Sequence, residues 1–392
     1  MNFELISVLL FLGVLAILIY RDRKNIEFKS GIIMRRSNAG KDFIYKFSEK
    51  YEKTLRIIGN IGIVVAAIAT FFAMFILMQS TYKLITKPSE ATGSLKLVLP
   101  SVSGVKLPGF ILGVPFWYWI IAVFLVVSIH EPMHALMARI EKVRIKSFGL
   151  ILLIILPGAF VDPDEKQLKK LSIVKKLRVY AAGSFGNLLL AGVVFLLLIG
   201  YNFALSKLLT PVGIAFEKTI PNSGAALANM TGRITAINSV EVRDFDDLGK
   251  AMSTVKPNDI IVVNTTTRQY VIRTVADPDN STRPLIGIEN SYVVFAYSGF
   301  LSKFGTVSNT VLSIIMWISG LFSWVFLLSL GVGIFNLFPL KPLDGGLILE
   351  EVSNHFFKRK KSKIITRVVS TLVLILILFN LFWPSVIKIF SF

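Results

Sequence analysis

Two of the three histidines in the chain stand four residues apart in "HEPMH", at His130 and His134, with Glu131 between them. On a helix, positions i and i+4 share one face a turn apart, so both imidazoles can meet a single ion, and zinc is the metal such a pair suits. Glu131 points to the neighbouring side, where a carboxylate can take a proton from water and return it to a leaving amine. The pattern recurs by chance in long chains, and its plain alternative is a hydrogen-bonded core pair or a helix reaching an interface. The setting argues for chemistry. The motif follows the apolar run "FWYWIIAVFLVVSI" (Phe116–Ile129), and ionisable groups in such a run are costly and mark function by default.

A catalytic zinc takes three protein ligands and keeps one position open. The chain has no cysteine, which excludes thiolate ligands, disulfides and iron–sulfur clusters. The third ligand must therefore be His, Asp or Glu. His355 is one candidate, but "EEVSNHFFKRKKSK" reads as an amphipathic, basic surface stretch. Asp344 in "NLFPLKPLDGG" (Asn336–Gly346) is the better one, because the Pro and Gly residues open the helix and let an Asp turn away from lipid. Asp-Gly-Gly is also a common helix-ending turn.

The elements that must position these residues are membrane helices. Of 392 residues, 54% are hydrophobic and 17% charged, and the mean hydropathy is +0.67. Six runs are long enough to span a bilayer: Leu5–Tyr20, Ile57–Met78, Ile111–Met137, Val179–Leu205, Val307–Phe338 and Ile365–Ile387. The formal charge of +19 sits beside these runs, as the positive-inside rule and anionic headgroups require, so no nucleic-acid partner is expected. "RDRK" follows the first run and no basic residue precedes it, which makes that run a retained anchor with its N-terminus outside. Segment 21–56, Arg139–Lys146, Lys166–Arg178 and Lys358–Lys363 are all basic, and six spans put them on one, cytoplasmic, side. Residues 80–110 and 206–300 fall on the other, and the latter balance nine basic residues against nine acidic ones. By this topology Asp344 shares a membrane side with His130 and His134.

One apolar segment, "SFGLILLIILPGAFV" (Ser147–Val161), is too short to cross. It reads as a re-entrant or interfacial element, or else as a hydrophobic loop on the surface. Residues 211–290 differ again, with β-rich runs "GRITAINSVEV", "DIIVVNTTT", "QYVIRTV" and "RPLIGIE" and a helical pattern in "RDFDDLGKAMSTV". Short strands around one helix resemble a PDZ domain of the form found in bacterial and archaeal proteases. Such a domain captures extended peptide by strand addition, and its plain alternative is a β-domain that spaces or shields. Sequons at Asn229, Asn264 and Asn280 suit an outside location.

"HEPMH" in one span and "NLFPLKPLDGG" in a later one, with "PGAFVDPDE" (Pro157–Glu165) and "YAAGSFGN" (Tyr180–Asn187) between, resemble the site-2 protease family of intramembrane zinc metalloproteases. The resemblance covers about residues 111–350. It implies a polytopic α-helical membrane protein of about six transmembrane helices plus a membrane re-entrant hairpin, with one inserted extracytoplasmic PDZ-like α+β domain. The expected organisation is residues 1–110 for N-terminal helices and a basic cytoplasmic loop, and 111–205 for the first part of the catalytic core. Residues 206–300 form the PDZ-like domain, and 301–392 the second part of the core with the last helix. The resemblance further implies one zinc ion on His130, His134 and Asp344, with Glu131 as general base. Asn336 would hold the substrate extended or stabilise the oxyanion, and Asn187 would work at the substrate face, where an interhelical hydrogen bond is the alternative. Ser184 stands where many relatives have proline, a departure that bears on a local kink. The implied substrate is a transmembrane segment of another protein, cut near the cytoplasmic side in regulated intramembrane proteolysis. A catalytically inactive PDZ-bearing scaffold and a divalent-metal transporter are the two other classes open to the sequence.

Overall fold

The computed structural model describes residues 3–29, 32–87, 95–102, 107–153, 156–277 and 280–390. Its helices are α1 (Phe3–Arg21), α2 (Lys41–Lys50), α3 (Glu52–Thr86), α4 (Phe116–Ile140), α5 (Glu165–Lys169), α6 (Ile173–Leu208), α7 (Gly224–Leu227), α8 (Phe245–Met252), α9 (Asn309–Asn336), α10 (Asp344–Phe356) and α11 (Arg359–Phe390). Among the described residues, six helical segments are long and apolar enough to cross a membrane: Glu4–Arg21, Glu52–Thr86, Phe116–Ile140, Ile173–Leu208, Asn309–Asn336 and Arg359–Pro384. Their large apolar side chains, among them Leu10, Phe71, Leu196 and Phe203, face outward, as hydrocarbon permits and water does not. The chain is a multi-pass membrane protein built of two compact units, residues 1–197 with 320–392, and residues 198–319.

In the larger unit, small residues let the helices close. Gly62 of α3 sits against the Phe185 ring of α6, where an added Cβ would lie 2.9 Å from Cδ1, and Gly59 sits against Met137 and Arg178. This close approach is how membrane helices gain packing contacts without a hydrophobic driving force between them. Ala66, Ala181 and Leu337 form one buried cluster, and Ala73, Leu77, Phe338, Val373 and Ile377 another. Together they tie α3 to α6, to the turn after α9, and to α11. The third span is expected to begin at Ile111. Ile111–Pro115 instead forms a strand, β4, paired in parallel with β3 (Leu97–Ser101), and the helix starts after Pro115. Within α4 the helix runs on through Pro132.

The basic stretch after α1 is not merely a loop. It supplies β1 (Ile26–Lys29) and β2 (Ile32–Ser37), which extend an antiparallel sheet in the order β1-β2-β5-β6. Strands β5 (Ile145–Leu153) and β6 (Leu156–Pro163) are the short apolar segment of the sequence, folded as a hairpin with Leu150 opposite Ala159. Residues 154–155 of that segment, and 88–94 and 103–106 of the stretch 80–110, lie outside the described residues. Gly149 has no Cβ because the Phe160 ring lies across it from the neighbouring strand. Arg36 on β2 reaches Asp162 on β6 at 3.2 Å and stands over the Phe160 ring.

The smaller unit is a sheet-containing domain. Its strands are β7 (Leu209–Ala215), β8 (Lys218–Thr219), β9 (Ile234–Ile237), β10 (Val240–Glu241), β11 (Ile260–Thr265), β12 (Gln269–Arg273), β13 (Val275–Asp277), β14 (Asn280–Leu285), β15 (Ile288–Glu289) and β16 (Tyr292–Tyr297). The main sheet runs β12-β11-β9-β7-β16, with β10 on β9. Ile261 with Val263 on β11 and Tyr270 with Ile272 on β12 alternate inward, as strands with one buried face must, and Ile214, Ile234 and Ile237 complete the core. Two short helices, rather than the single one expected, pack here. Ser223 caps α7 through Ala226 N, and Asp244 caps α8 through Asp247 N at 2.9 Å.

Candidate metal centre

His130 and His134 lie on successive turns of α4, and their rings meet edge to face with centroids 4.9 Å apart. Their Nε2 atoms are 3.2 Å apart. Asp344 arrives from the other end of the larger unit's sequence. It is the first residue of α10, so Asp-Gly-Gly opens a helix rather than ending one. The turn before it is compact. A Cβ on Gly345 would enter the backbone of Leu337 and Phe338, and one on Gly346 would enter that of Leu340 and Lys341. Thr70 of α3 donates to Leu337 O at 3.2 Å and fixes the turn from the side. The Asp344 carboxylate thereby stands with Oδ2 3.5 Å from His130 Nε2 and Oδ1 3.4 Å from His134 Nε2.

The separation of the two Nε2 atoms suits two ligands of one tetrahedral ion, and each carboxylate oxygen stands at a similar distance from one of them. Bonds of about 2.0–2.1 Å to nitrogen and oxygen put neighbouring ligand atoms about 3.3–3.4 Å apart. The donor set is two imidazoles and one carboxylate, each side chain 12–16% exposed. That leaves room for a fourth position, as a catalytic site requires. The tautomer of His134 agrees as well. His134 Nδ1 is 2.7 Å from Val179 O of α6; a carbonyl only accepts, so Nδ1 carries the proton and Nε2 offers its lone pair to the centre.

Glu131 turns to the side of this group, within electrostatic reach of His134 and Asp344. Its Oε2 accepts the Val161 N–H of β6 at 2.9 Å. That bond identifies the free edge of the hairpin. The Val161 N–H points away from β5, and by the period of two so does that of Ala159.

Of the other residues singled out by sequence, Asn187 is wholly buried with its amide 3.0 Å from His130 Nδ1. Asn336 is half-buried and closes α9, with the turn to Asp344 directly after it. His355 is exposed, its ring against Phe356 at 5.1 Å. At 1.5 Å rise per residue it is about 16 Å along α10 from Asp344 and takes no part in the centre. Among the described residues, His130, His134 and Asp344 form the one set of three such side chains with ligand atoms within 4.8 Å of one another.

Sequence reasoning missed Ser184 and Gly183. The Ser184 hydroxyl donates to Asp344 Oδ2 at 2.8 Å. Gly183 faces both imidazoles, and a Cβ there would lie 2.7 Å from His130 Nε2 and nearer still to His134 Nε2. Their signal is faint but present: "YAAGSFGN" is a run of small and polar residues in an otherwise bulky apolar helix.

Comparison with known proteins gives the family. The family model described as Peptidase family M50 matches residues 118–379. An uncharacterized protein of Methanocaldococcus jannaschii is 25% identical over 381 residues, covering 94% of this chain and 91% of its own length.

Proposed function

The chain belongs to peptidase family M50, and on that premise we propose that it is an intramembrane zinc metalloprotease that hydrolyses a peptide bond within or near a transmembrane helix of another membrane protein. The observation that carries this reading is the convergence of His130, His134 and Asp344, whose Nε2 and carboxylate atoms stand 3.2–3.5 Å apart, with Glu131 beside them. A scaffold has no use for the glutamate, and a transporter has no use for a general base.

His130 and His134 would present Nε2, and Asp344 its carboxylate, to one zinc ion. When bound, that ion supplies Lewis acidity, polarising the scissile carbonyl and making water a better nucleophile. Glu131 takes the proton from the attacking water and passes it to the departing amine. Asn336 holds the substrate extended or donates to the developing oxyanion, and Asn187 acts from inside, through His130. A transmembrane helix ties up its own carbonyls, so it must unwind to be cut. The free edge of β6 offers a strand for it to join, at the height of Glu131.

The charge asymmetry of the loops supports an N-terminus and residues 206–300 outside the cytoplasm, with the metal centre near the cytoplasmic end of α4. The smaller unit carries a cavity of about 510 Å³ lined by Leu248 and Met252 of α8 and by Leu285, Ile286 and Ile288. This groove between a helix and a strand supports a PDZ-like role in screening peptide or trimmed ectodomains before cleavage, as regulated intramembrane proteolysis requires.

Glu131→Gln is the decisive variant. It should keep zinc and lower cleavage of a test transmembrane peptide by about 10²–10⁴-fold, the usual worth of a general base. Cleavage at the wild-type rate in that variant sinks the mechanism. Zinc-free wild-type protein sinks the enzyme.

A further inference from the structure

Three polar groups of α6 each reach a different member of the His130–His134–Asp344 set. They are the Val179 carbonyl on His134 Nδ1 at 2.7 Å, the Ser184 hydroxyl on Asp344 Oδ2 at 2.8 Å, and the Asn187 amide on His130 Nδ1 at 3.0 Å. Positions 179, 183 and 187 repeat every four residues and 184 adjoins them, so a single face of the helix carries all of these contacts. Ser184 and Asn187 are both 0% exposed. Bulk water does not reach them, and the metal-centre residues are their hydrogen-bond partners.

We propose that Ser184 and Asn187 are positioning residues that set zinc affinity: Ser184 fixes the Asp344 carboxylate and Asn187 fixes the tautomer and ring orientation of His130. The inference rests on the zinc reading above and extends it to a helix that supplies no ligand of its own. A carboxylate turns freely about its terminal bond. With Oδ2 held by a hydroxyl, its two oxygens stay aimed at the two Nε2 atoms. For His130, a metal on Nε2 requires the proton on Nδ1, and Nδ1–H then needs an acceptor. The Gly183 carbonyl of α6 is a backbone partner of the His130 ring, and Asn187 offers a side-chain acceptor beside it. Its Oδ1 is buried without a hydrogen-bond partner, and a half-turn of the amide about Cβ–Cγ exchanges Oδ1 with the Nδ2 that now faces His130. The metallated tautomer can therefore be met by Oδ1, with Nδ2 taking the place Oδ1 leaves, at no change in backbone. The competing explanation, two plain interhelical hydrogen bonds, predicts a loss of helix packing without an effect on metal affinity.

Full-length protein in detergent distinguishes them. Zinc affinity is read by competition with a chromophoric chelator, and coordination by the visible bands of the Co²⁺-substituted protein, with thermal unfolding of the metal-free protein as the control for packing. Ser184→Ala and Asn187→Ala should each weaken zinc binding about 10–100-fold, the usual cost of removing an outer partner of a metal ligand. Ser184→Thr keeps the hydroxyl and should restore affinity. Asn187→Asp keeps an acceptor for Nδ1–H, should restore binding, and should shift the Co²⁺ bands because a carboxylate makes His130 a more basic ligand. Should an alanine variant not fold, that band shift carries the test. Equal zinc affinity in wild type and both alanine variants, or unshifted bands in Asn187→Asp, overturns this inference alone. A wild-type protein that takes up no zinc overturns the metalloprotease reading and this inference with it.

Discussion

At the scale of single residues the metal centre tolerates little. Gly183 has no side chain because the space belongs to the Nε2 atoms of His130 and His134, the two atoms that would face the proposed metal. Helical conformation at Gly183 needs no glycine, so Gly183→Ala should raise helix propensity by up to ~1 kcal/mol and still expel the metal by displacing both rings. We expect a well-folded protein whose zinc content falls from stoichiometric to background. Retention of zinc by this variant, measured by atomic absorption, would contradict the placement of both imidazoles. Ser184 makes a related point. As a letter in the sequence it stands for a lost proline kink. In the structure its hydroxyl is bonded to the Asp344 carboxylate.

At the scale of elements, the hairpin β5–β6 meets Glu131 through the Val161 N–H, and under the proposed function it would relate that residue to a substrate strand. The sheet is longer than its two central strands. β2 pairs with β5 from Ile32↔Leu153 to Ser37↔Phe148, leaving β6 as the outer edge beside α4. An edge strand accepts proline where its N–H faces outward. Ala159→Pro should therefore fold and bind zinc, yet lose one backbone hydrogen bond to an added substrate strand. At about 0.5–1.5 kcal/mol for such a bond, KM for a transmembrane peptide should rise roughly 2–10-fold. An unchanged KM would mean that substrate does not pair along β6.

At the scale of the whole molecule, the topology can be tested cleanly because the chain has no cysteine. Ser253→Cys, exposed just after α8, and Lys361→Cys, exposed near the start of α11, each introduce a single thiol. A membrane-impermeant maleimide applied to intact cells should label the first and spare the second, and permeabilised cells should label both. Labelling of the Lys361→Cys thiol in intact cells would invert the orientation and move the site of cleavage to the other face of the membrane.

The sequence by itself determined the class and set His130, Glu131 and His134 on one turn of a helix. Long uncharged runs identify spans whatever their packing, since a bilayer imposes length and apolarity on every helix that crosses it. His130, Glu131 and His134 are legible because a helix fixes their relation within one turn, and Asp344 because loop charge places it on the same side. Tertiary structure alone decided the rest. Ser184 lies 160 positions from Asp344 and Asn187 lies 57 from His130, and no local periodicity links residues so far apart. The N-terminal strands read as basic loop because their pairing with β5 spans more than 100 positions, and a strand's partner is set by which edge is free when helices pack. Positions that touch across helices depend on small residues such as Gly59, Gly62 and Gly183, whose effect is the room they leave for another segment.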